Sequence, residues 1–348
     1  MAGAIVRAAY ALGQGARVGL FWGQYWLSAR LTTPVKAPRP IEGPMPDSAR
    51  ILADLRRLMV GDWRNIEAGY YRLPHDLAET PVKALAGAAR YFADLPAVER
   101  RRHQRDSREV LREGADGEGG GSGFPRYYLQ NFHFQTDGYL SRRSAELYDH
   151  QVEVLFGGGA DAMRRQVLVP LHDLLKARRI AETRLIDLAC GTGRFLTFLK
   201  DNYPRLEVTA LDLSPAYLAK ARKALRPWRG VEFLAAPAEA SGLADESYDL
   251  ATCIFLFHEL PRPVRAAVAR EVARILKPGG RLIFLDSLQL GDEPDYDGLL
   301  EYFPVAFHEP YYDDYIRQDL GALFEAAGFE VERVETVFFS RLMVLAKA

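Results

Sequence analysis

The sequence predicts an α/β protein: a doubly wound, mostly parallel sheet in the second half of the chain, preceded by a helical extension. Three observations carry this expectation. Residues 185–188 form a short apolar run that ends in Ala189-Cys190-Gly191-Thr192-Gly193, and Phe195, Leu196, Phe198 and Leu199 then recur at helical spacing. A second apolar run, 206–211, ends in Asp212, nineteen positions after Gly193. Further short apolar runs and helical patterns then alternate toward the C terminus, the rhythm of βαβ units. Strand, glycine turn, helix, strand and acid in that order point to a nucleotide-type cofactor. The glycines let the backbone turn sharply beside a ligand, and the next helix offers unpaired N–H groups. Asp212, at the carboxyl edge of the neighbouring strand, can accept hydrogen bonds from both ribose hydroxyls.

The N-terminal region is compositionally distinct. Residues 1–41 carry Arg7, Arg17, Arg30, Lys36 and Arg39 and no acid before Glu42. Their run 18–27 is apolar and aromatic, but arginines interrupt the stretch before it reaches a bilayer-spanning length, and no secretory cleavage pattern closes it. Two readings stand. Residues 3–31 form an interfacial helix with Trp22, Tyr25 and Trp26 at headgroup level and arginines meeting anionic lipid, or they form an ordinary helix packed on the body of the protein.

Prolines at 34, 38, 40, 44 and 46 make 32–47 a stiff connector. Ile51, Leu52, Leu55, Leu58 and Met59 predict an amphipathic helix over 47–60, capped at Asp47 or Ser48. Helices are expected over 81–92 and 96–111, with the Arg100-Arg101-Arg102 cluster, balanced by Glu99, Asp106, Glu109 and Glu113, as a solvated face. The glycine-rich stretch 114–123 marks a boundary or an exposed loop. Residues 127–140 are dense in aromatic and hydrogen-bonding side chains. They either line a pocket for a largely apolar ligand or pack the helical half onto the sheet. Helices follow over 144–156 and 162–175, interrupted by Gly157-Gly158-Gly159. The chain thus divides into an N-terminal helix and connector (1–46), a helical region (47–175) and a sheet domain (176–348).

In the sheet domain a helix over 214–225 starts at Ser214 with Pro215 in its first turn, where the missing N–H costs little. Strands are expected over 231–234, 248–255 and 281–286, a helix over 262–276, a turn at Lys277-Pro278-Gly279-Gly280, a helix ending at Gly328, and strands over 329–337 and 340–346. Between strand five and that helix, 287–314 holds Tyr296, Tyr302, Phe303, Phe307, His308, Tyr311 and Tyr312. Insertions at the carboxyl edge of an open sheet sit over the ligand crevice, so this one is a candidate lid. A surface loop with locally buried aromatics is the alternative.

The Asp187–Gly193 turn, Asp212, Tyr148-Asp149 and the Lys-Pro-Gly-Gly turn together resemble the class I S-adenosylmethionine-dependent methyltransferases, especially the branch that includes ubiquinone/menaquinone C-methyltransferases. The resemblance covers about residues 183–348. It implies a Rossmann-like sheet of seven strands, mostly parallel, with an antiparallel last strand, and S-adenosyl-L-methionine as cofactor. It further implies that Asp187 orients the methionine end, that Gly191 and Gly193 admit the cofactor, and that Asp212 with Leu213 holds the ribose. Ala189, Phe255 and Tyr148 would lie beside it. Where the family often has an adenine-binding Asp, this chain has Pro237, which leaves the Ala238 N–H and Glu239 to read the adenine. An NAD-binding turn would show a third glycine where Leu196 stands.

A net charge of −1 over 348 residues gives no general attraction to polyanions. The segment 256–261 lacks the Asn/Asp-Pro-Pro-aromatic motif of base-methylating enzymes, so nucleic acid is not an expected partner. The two cysteines, Cys190 and Cys253, fall in predicted buried elements and read as reduced thiols of a cytoplasmic protein, without a disulfide or metal framework. The expected activity is methyl transfer to a small, hydrophobic acceptor such as a quinone, polyprenyl or other lipid-like molecule. His133, His258 and His308 are candidate bases, and each is equally readable as a structural histidine. A different transfer from the same cofactor, or a non-catalytic cofactor-binding assembly role, are the rival readings.

Overall fold

The computed structural model describes residues 2–35, 37, 40–78, 81–110 and 123–348. The strands are β1 (Arg184–Leu188), β2 (Glu207–Asp212), β3 (Val231–Ala235), β4 (Tyr248–Ile254), β5 (Leu276–Ser287), β6 (Phe329–Val337) and β7 (Ser340–Lys347). They form one seven-stranded sheet in the order β3-β2-β1-β4-β5-β7-β6. The first five run parallel, and β7 is antiparallel to both its neighbours. Strand order reverses between β1 and β4, the position at which open α/β sheets form a ligand crevice. Alternation along β1 sends Leu185 into one apolar layer with Phe195 and Ile283, and Ile186 and Leu188 into the other with Cys253 and Phe284. Both cysteines are buried free thiols.

The helices are α1 (Ala2–Leu31), α2 (Ser48–Glu67), α3 (Pro81–Gln104), α4 (Arg142–Leu155), α5 (Ala160–Gln166), α6 (Leu168–Lys176), α7 (Arg194–Asn202), α8 (Pro215–Ala224), α9 (Arg262–Ile275), α10 (Asp297–Ala306), α11 (Tyr312–Tyr315) and α12 (Leu320–Glu325). Asp47 caps α2 by accepting from the Arg50 N–H, Ser141 caps α4, and Ser214 caps α8.

Several expectations are corrected. Instead of two helices over 81–92 and 96–111, α3 runs unbroken through Pro96. Its buried Asp94, two residues before the proline, accepts from Thr136 and Arg143, which fixes the helix on that side. Arg101 is not part of a solvated face: it is buried, and donates to the Phe134 carbonyl, Thr136 and Glu109. The helix expected over 162–175 is two, α5 and α6, meeting at Val167. The insertion 287–314 is largely helical, and α10 packs against the proline connector so closely that the Gly298 N–H donates to the Pro44 carbonyl. Of the glycine-rich stretch, 114–122 lies outside the described residues.

Helix α1 docks on the body along one face. Tyr10, Gln14, Phe21, Gln24 and Ser28 are buried, and Arg17 pairs with Glu153 and Asp161. Trp22 is half-buried against Gly157, whereas Trp26 on the outer face is 50 % exposed. The anchor of this half is a fully buried ion cluster. Arg165 reaches both oxygens of Asp62 at 3.0 and 2.7 Å and Asp76 at 2.8 Å, while the hydroxyls of Tyr10 and Tyr71 also donate to Asp62. Removing one partner leaves uncompensated buried charge, so Arg165→Met is expected to lower unfolding free energy by about 3–5 kcal/mol. Urea denaturation of the two proteins checks this.

Candidate functional site

The crevice is built at the carboxyl ends of β1, β2 and β4. After β1 the backbone turns through left-handed conformations at Ala189 (φ 54°), Gly191 (φ 56°) and Gly193 (φ 75°). Asp212 holds this turn: one carboxylate oxygen accepts from the Gly191 N–H and the other from the Ser214 N–H, both at 2.8 Å. The two glycines differ. A Cβ on Gly191 would meet nothing within 4 Å, so its face is open to the crevice. A Cβ on Gly193 would sit 3.0 Å from Leu225 and 3.1 Å from Ala221, so this glycine serves the close packing of α7 on α8 and does not line the pocket. Asp187 is likewise outside the pocket lining; it is buried and accepts from the Thr252 hydroxyl at 2.6 Å. Burial raises its carboxyl to about 7.

The pocket itself is lined by Ala189, Gly191, Asp212, Leu213, Ala238, Glu239 and Phe255 from the sheet edge. The segment 127–140 and α4 close it with Tyr127, Tyr128, Phe132, Tyr139 and Tyr148. Tyr127 donates to Glu239 at 2.6 Å, across the side expected to read adenine. Thr192 donates to Asp149 at 2.5 Å, which ties the glycine turn to α4 beside Tyr148. The arrangement fits the nucleoside part of the expected cofactor. Gly191 leaves room for it, and the Asp212 carboxylate, having taken two N–H groups, keeps lone pairs for ribose hydroxyls. The cavity is narrow, about 90 Å³, so admission of a nucleoside needs the aromatic roof to shift.

A second cavity of about 150 Å³ adjoins the first and shares Tyr148, Phe255 and Glu259 with it. Its walls are apolar: Trp22 and Tyr25 of α1, Val152 of α4 and Phe156 just after it, Phe303 and Phe307 of the insertion. Its polar end is His133, His258 and Glu259. Phe255, at φ 57°, sits in the left-handed region between the two cavities, where strained residues concentrate at ligand sites.

The three histidines have different fates. His258 Nδ1 lies 2.5 Å from the fully buried Asp286, which also accepts from the N–H groups of Leu256 and Phe257. Burial would lower this imidazole, but the Asp286 charge and hydrogen bond outweigh it and raise it to about 9. At neutral pH His258 is therefore a cation, not a base. His133 lies 3.1 Å from Glu309, and burial lowers it to about 3, so it is neutral. His308 lines neither cavity; it meets Gln130 at 3.0 Å, and burial lowers it to about 4.

Two acids that sequence reasoning did not single out belong to this end. Glu259 accepts from the Tyr139 hydroxyl at 2.6 Å, and burial raises it to about 7 against the pull of His258. Glu309, 2 % exposed, is raised well above the usual carboxyl range by burial. Glu259 directly follows the candidate base His258, which was a usable signal. Glu309 follows His308 in the insertion, where no spacing pointed inward.

Residues 185–280 match the family described as a methyltransferase domain. The chain is 34 % identical over 163 residues to the ubiquinone/menaquinone biosynthesis C-methyltransferase UbiE of Methylobacterium nodulans, covering 46 % of this chain and 62 % of that one. It is 37 % identical over 134 residues to the demethylmenaquinone methyltransferase of Thermus thermophilus, covering 38 % and 57 %. It is 35 % identical over 126 residues to the malonyl-[acyl-carrier protein] O-methyltransferase of Methylococcus capsulatus, covering 36 % and 45 %. The chain thus spans about half to three fifths of the length of these curated relatives.

The His258–Asp286 pair predicts a pH window for stability. A histidine whose folded value is raised from 6.5 to about 9 contributes fully below 6.5, and its contribution is lost as pH rises through about 9. The stability difference between wild type and His258→Gln is expected to shrink by on the order of 3 kcal/mol from pH 6 to pH 10. Chemical denaturation across that range measures it.

Proposed function

Given that this chain carries a class I S-adenosylmethionine-dependent methyltransferase domain related to the ubiquinone/menaquinone type, we propose that it methylates a small hydrophobic acceptor bearing one polar group. The supporting observation is the shared wall: the apolar cavity meets the cofactor pocket at Tyr148, Phe255 and Glu259. S-adenosylmethionine supplies an electrophilic sulfonium methyl when bound. What the chain's own residues supply is binding, alignment, water exclusion and a proton acceptor.

Asp212, Gly191, Leu213, Ala238 and Glu239 bind the nucleoside, and the tyrosine roof excludes water. The aromatic walls take the acceptor's apolar body, while Glu259 and His133 face its polar group. Of the ionisable groups there, Glu259, held near 7, is best matched to accept a proton at physiological pH. His258 instead fixes the segment that presents Glu259. The histidines are not needed as bases for this assignment.

The acceptor cavity opens beside α1, whose outer face exposes Ile5, Leu12, Trp26, Leu27 and Leu31. Arg30 stacks on Trp26 at 3.7 Å, an aromatic and cation pair suited to a headgroup region. Among the described residues no helix is long and apolar enough to cross a membrane. We propose that this face rests on an anionic lipid surface, which would hold a lipophilic acceptor next to its cavity. Co-sedimentation with phosphatidylglycerol vesicles is expected for the wild type and strongly reduced for Leu12→Asp/Leu27→Asp.

The activity is tested by transfer of labelled methyl from S-adenosylmethionine into a total cell extract, partitioned into organic, aqueous, protein and nucleic-acid fractions. Label is expected in the organic fraction, with Glu259→Gln lowering kcat by about 10²–10⁴-fold. Label in another fraction overturns the acceptor class. Cofactor binding without transfer into any fraction overturns the enzymatic reading.

A further inference from the structure

His133, Glu259 and Glu309 come from three distant parts of the sequence, yet their ligand atoms all lie within 4.8 Å of one another. They converge because the 3-10 turn Phe132–Phe134 is tied to the insertion, where the His133 N–H donates to the His308 carbonyl at 3.1 Å. Glu259 approaches from the segment after β4. A second observation concerns Glu309. Its side chain is buried, and neither carboxylate oxygen accepts a hydrogen bond from any described residue. The His133 ring nitrogen approaches to 3.1 Å without hydrogen-bond alignment. A buried carboxylate left in this state loses its solvation with nothing in return.

We propose that His133, Glu259 and Glu309 form a binding site for one divalent transition-series cation at the polar end of the acceptor cavity. One imidazole and two carboxylates are a donor set suited to Mn²⁺, Fe²⁺ or Zn²⁺, whereas an all-oxygen shell would favour Mg²⁺ or Ca²⁺. Charge supports the assignment. With His258 and Asp286 paired, Glu259 and Glu309 are the two remaining negative groups of the cluster when ionised, and one divalent cation balances them. Three protein ligands leave coordination positions open, and two of the three, His133 and Glu259, line the cavity. Resting on the proposed acceptor site, the inference narrows the acceptor to a molecule whose polar group is an oxygen able to coordinate the cation. A cation there would polarise that oxygen and ease its deprotonation, and the proton would pass to the Glu259 carboxylate oxygen left free of the cation.

The test is made on the full chain without cofactor or acceptor, so it stands whether or not methyl transfer is found. Protein stripped with EDTA is titrated with MnCl₂, and free Mn²⁺ is counted by electron paramagnetic resonance. One Mn²⁺ per chain is expected, displaced by ZnCl₂, with affinity lowered at least about tenfold in Glu309→Gln and in His133→Asn. A cooperative thermal melt of each metal-free variant verifies that it is folded. No bound Mn²⁺ at millimolar concentration, or equal uptake by wild type and both folded variants, overturns the site.

Discussion

The Asp212 carboxylate is the constraint on which the rest of the site depends. It stands at the carboxyl end of β2 and accepts from Gly191 in the turn after β1 and from Ser214 at the start of α8. Hydrogen bonds to an ionised acceptor are stronger than neutral ones, so one side chain fixes two turns that belong to adjacent parallel strands. The fixation continues outward. The Ser214 hydroxyl donates to the Tyr139 carbonyl at 2.6 Å, and the Tyr139 hydroxyl donates to Glu259 at 2.6 Å. A chain of three hydrogen bonds thus links the Asp212 carboxylate to the Glu259 carboxyl.

The helical half of the protein is the means by which the sheet's edge becomes a closed site. An open α/β sheet provides a crevice, but its walls must come from elsewhere. Here α1 supplies Trp22 and Tyr25, α4 and the residue after it supply Val152 and Phe156, the segment 127–140 supplies the tyrosine roof and His133, and the insertion supplies Phe303 and Phe307. These pieces are held by buried polar contacts: Arg165 with Asp62 and Asp76, Arg17 with Glu153 and Asp161, Arg101 with Phe134 and Thr136. Such contacts fix register more than they add stability, and register is what a site assembled from five chain segments requires.

The sheet was legible in the sequence because each strand and helix announces itself locally, through apolar period, glycine turns and caps such as Ser214. Asp212 and Gly191 were legible for the same reason, since their spacing is set within one βαβ unit. Gly193 and Asp187 were harder: both carry the expected motif, but whether a motif residue faces ligand or neighbouring helix depends on where Ala221, Leu225 and Thr252 pack. The helix through Pro96 shows tertiary anchoring by Asp94 overriding a strong local breaker. The polar end of the second cavity was the least legible. Glu259 and Glu309 are separated by fifty residues and His133 by more than a hundred from either, so nothing periodic brings them together. The charge states of the histidines depend on Asp286, which reads in the sequence only as the end of a strand.

In the proposed reaction two adjoining cavities divide the work, with nucleoside on Asp212 and acceptor beyond Phe255. A crystal structure with S-adenosylhomocysteine tests this most directly. The ribose hydroxyls are predicted on the Asp212 carboxylate, and the sulfur at the wall of Tyr148, Phe255 and Glu259, facing the apolar cavity. A ligand seated away from Asp212, or one whose sulfur points away from Glu259, would contradict the account.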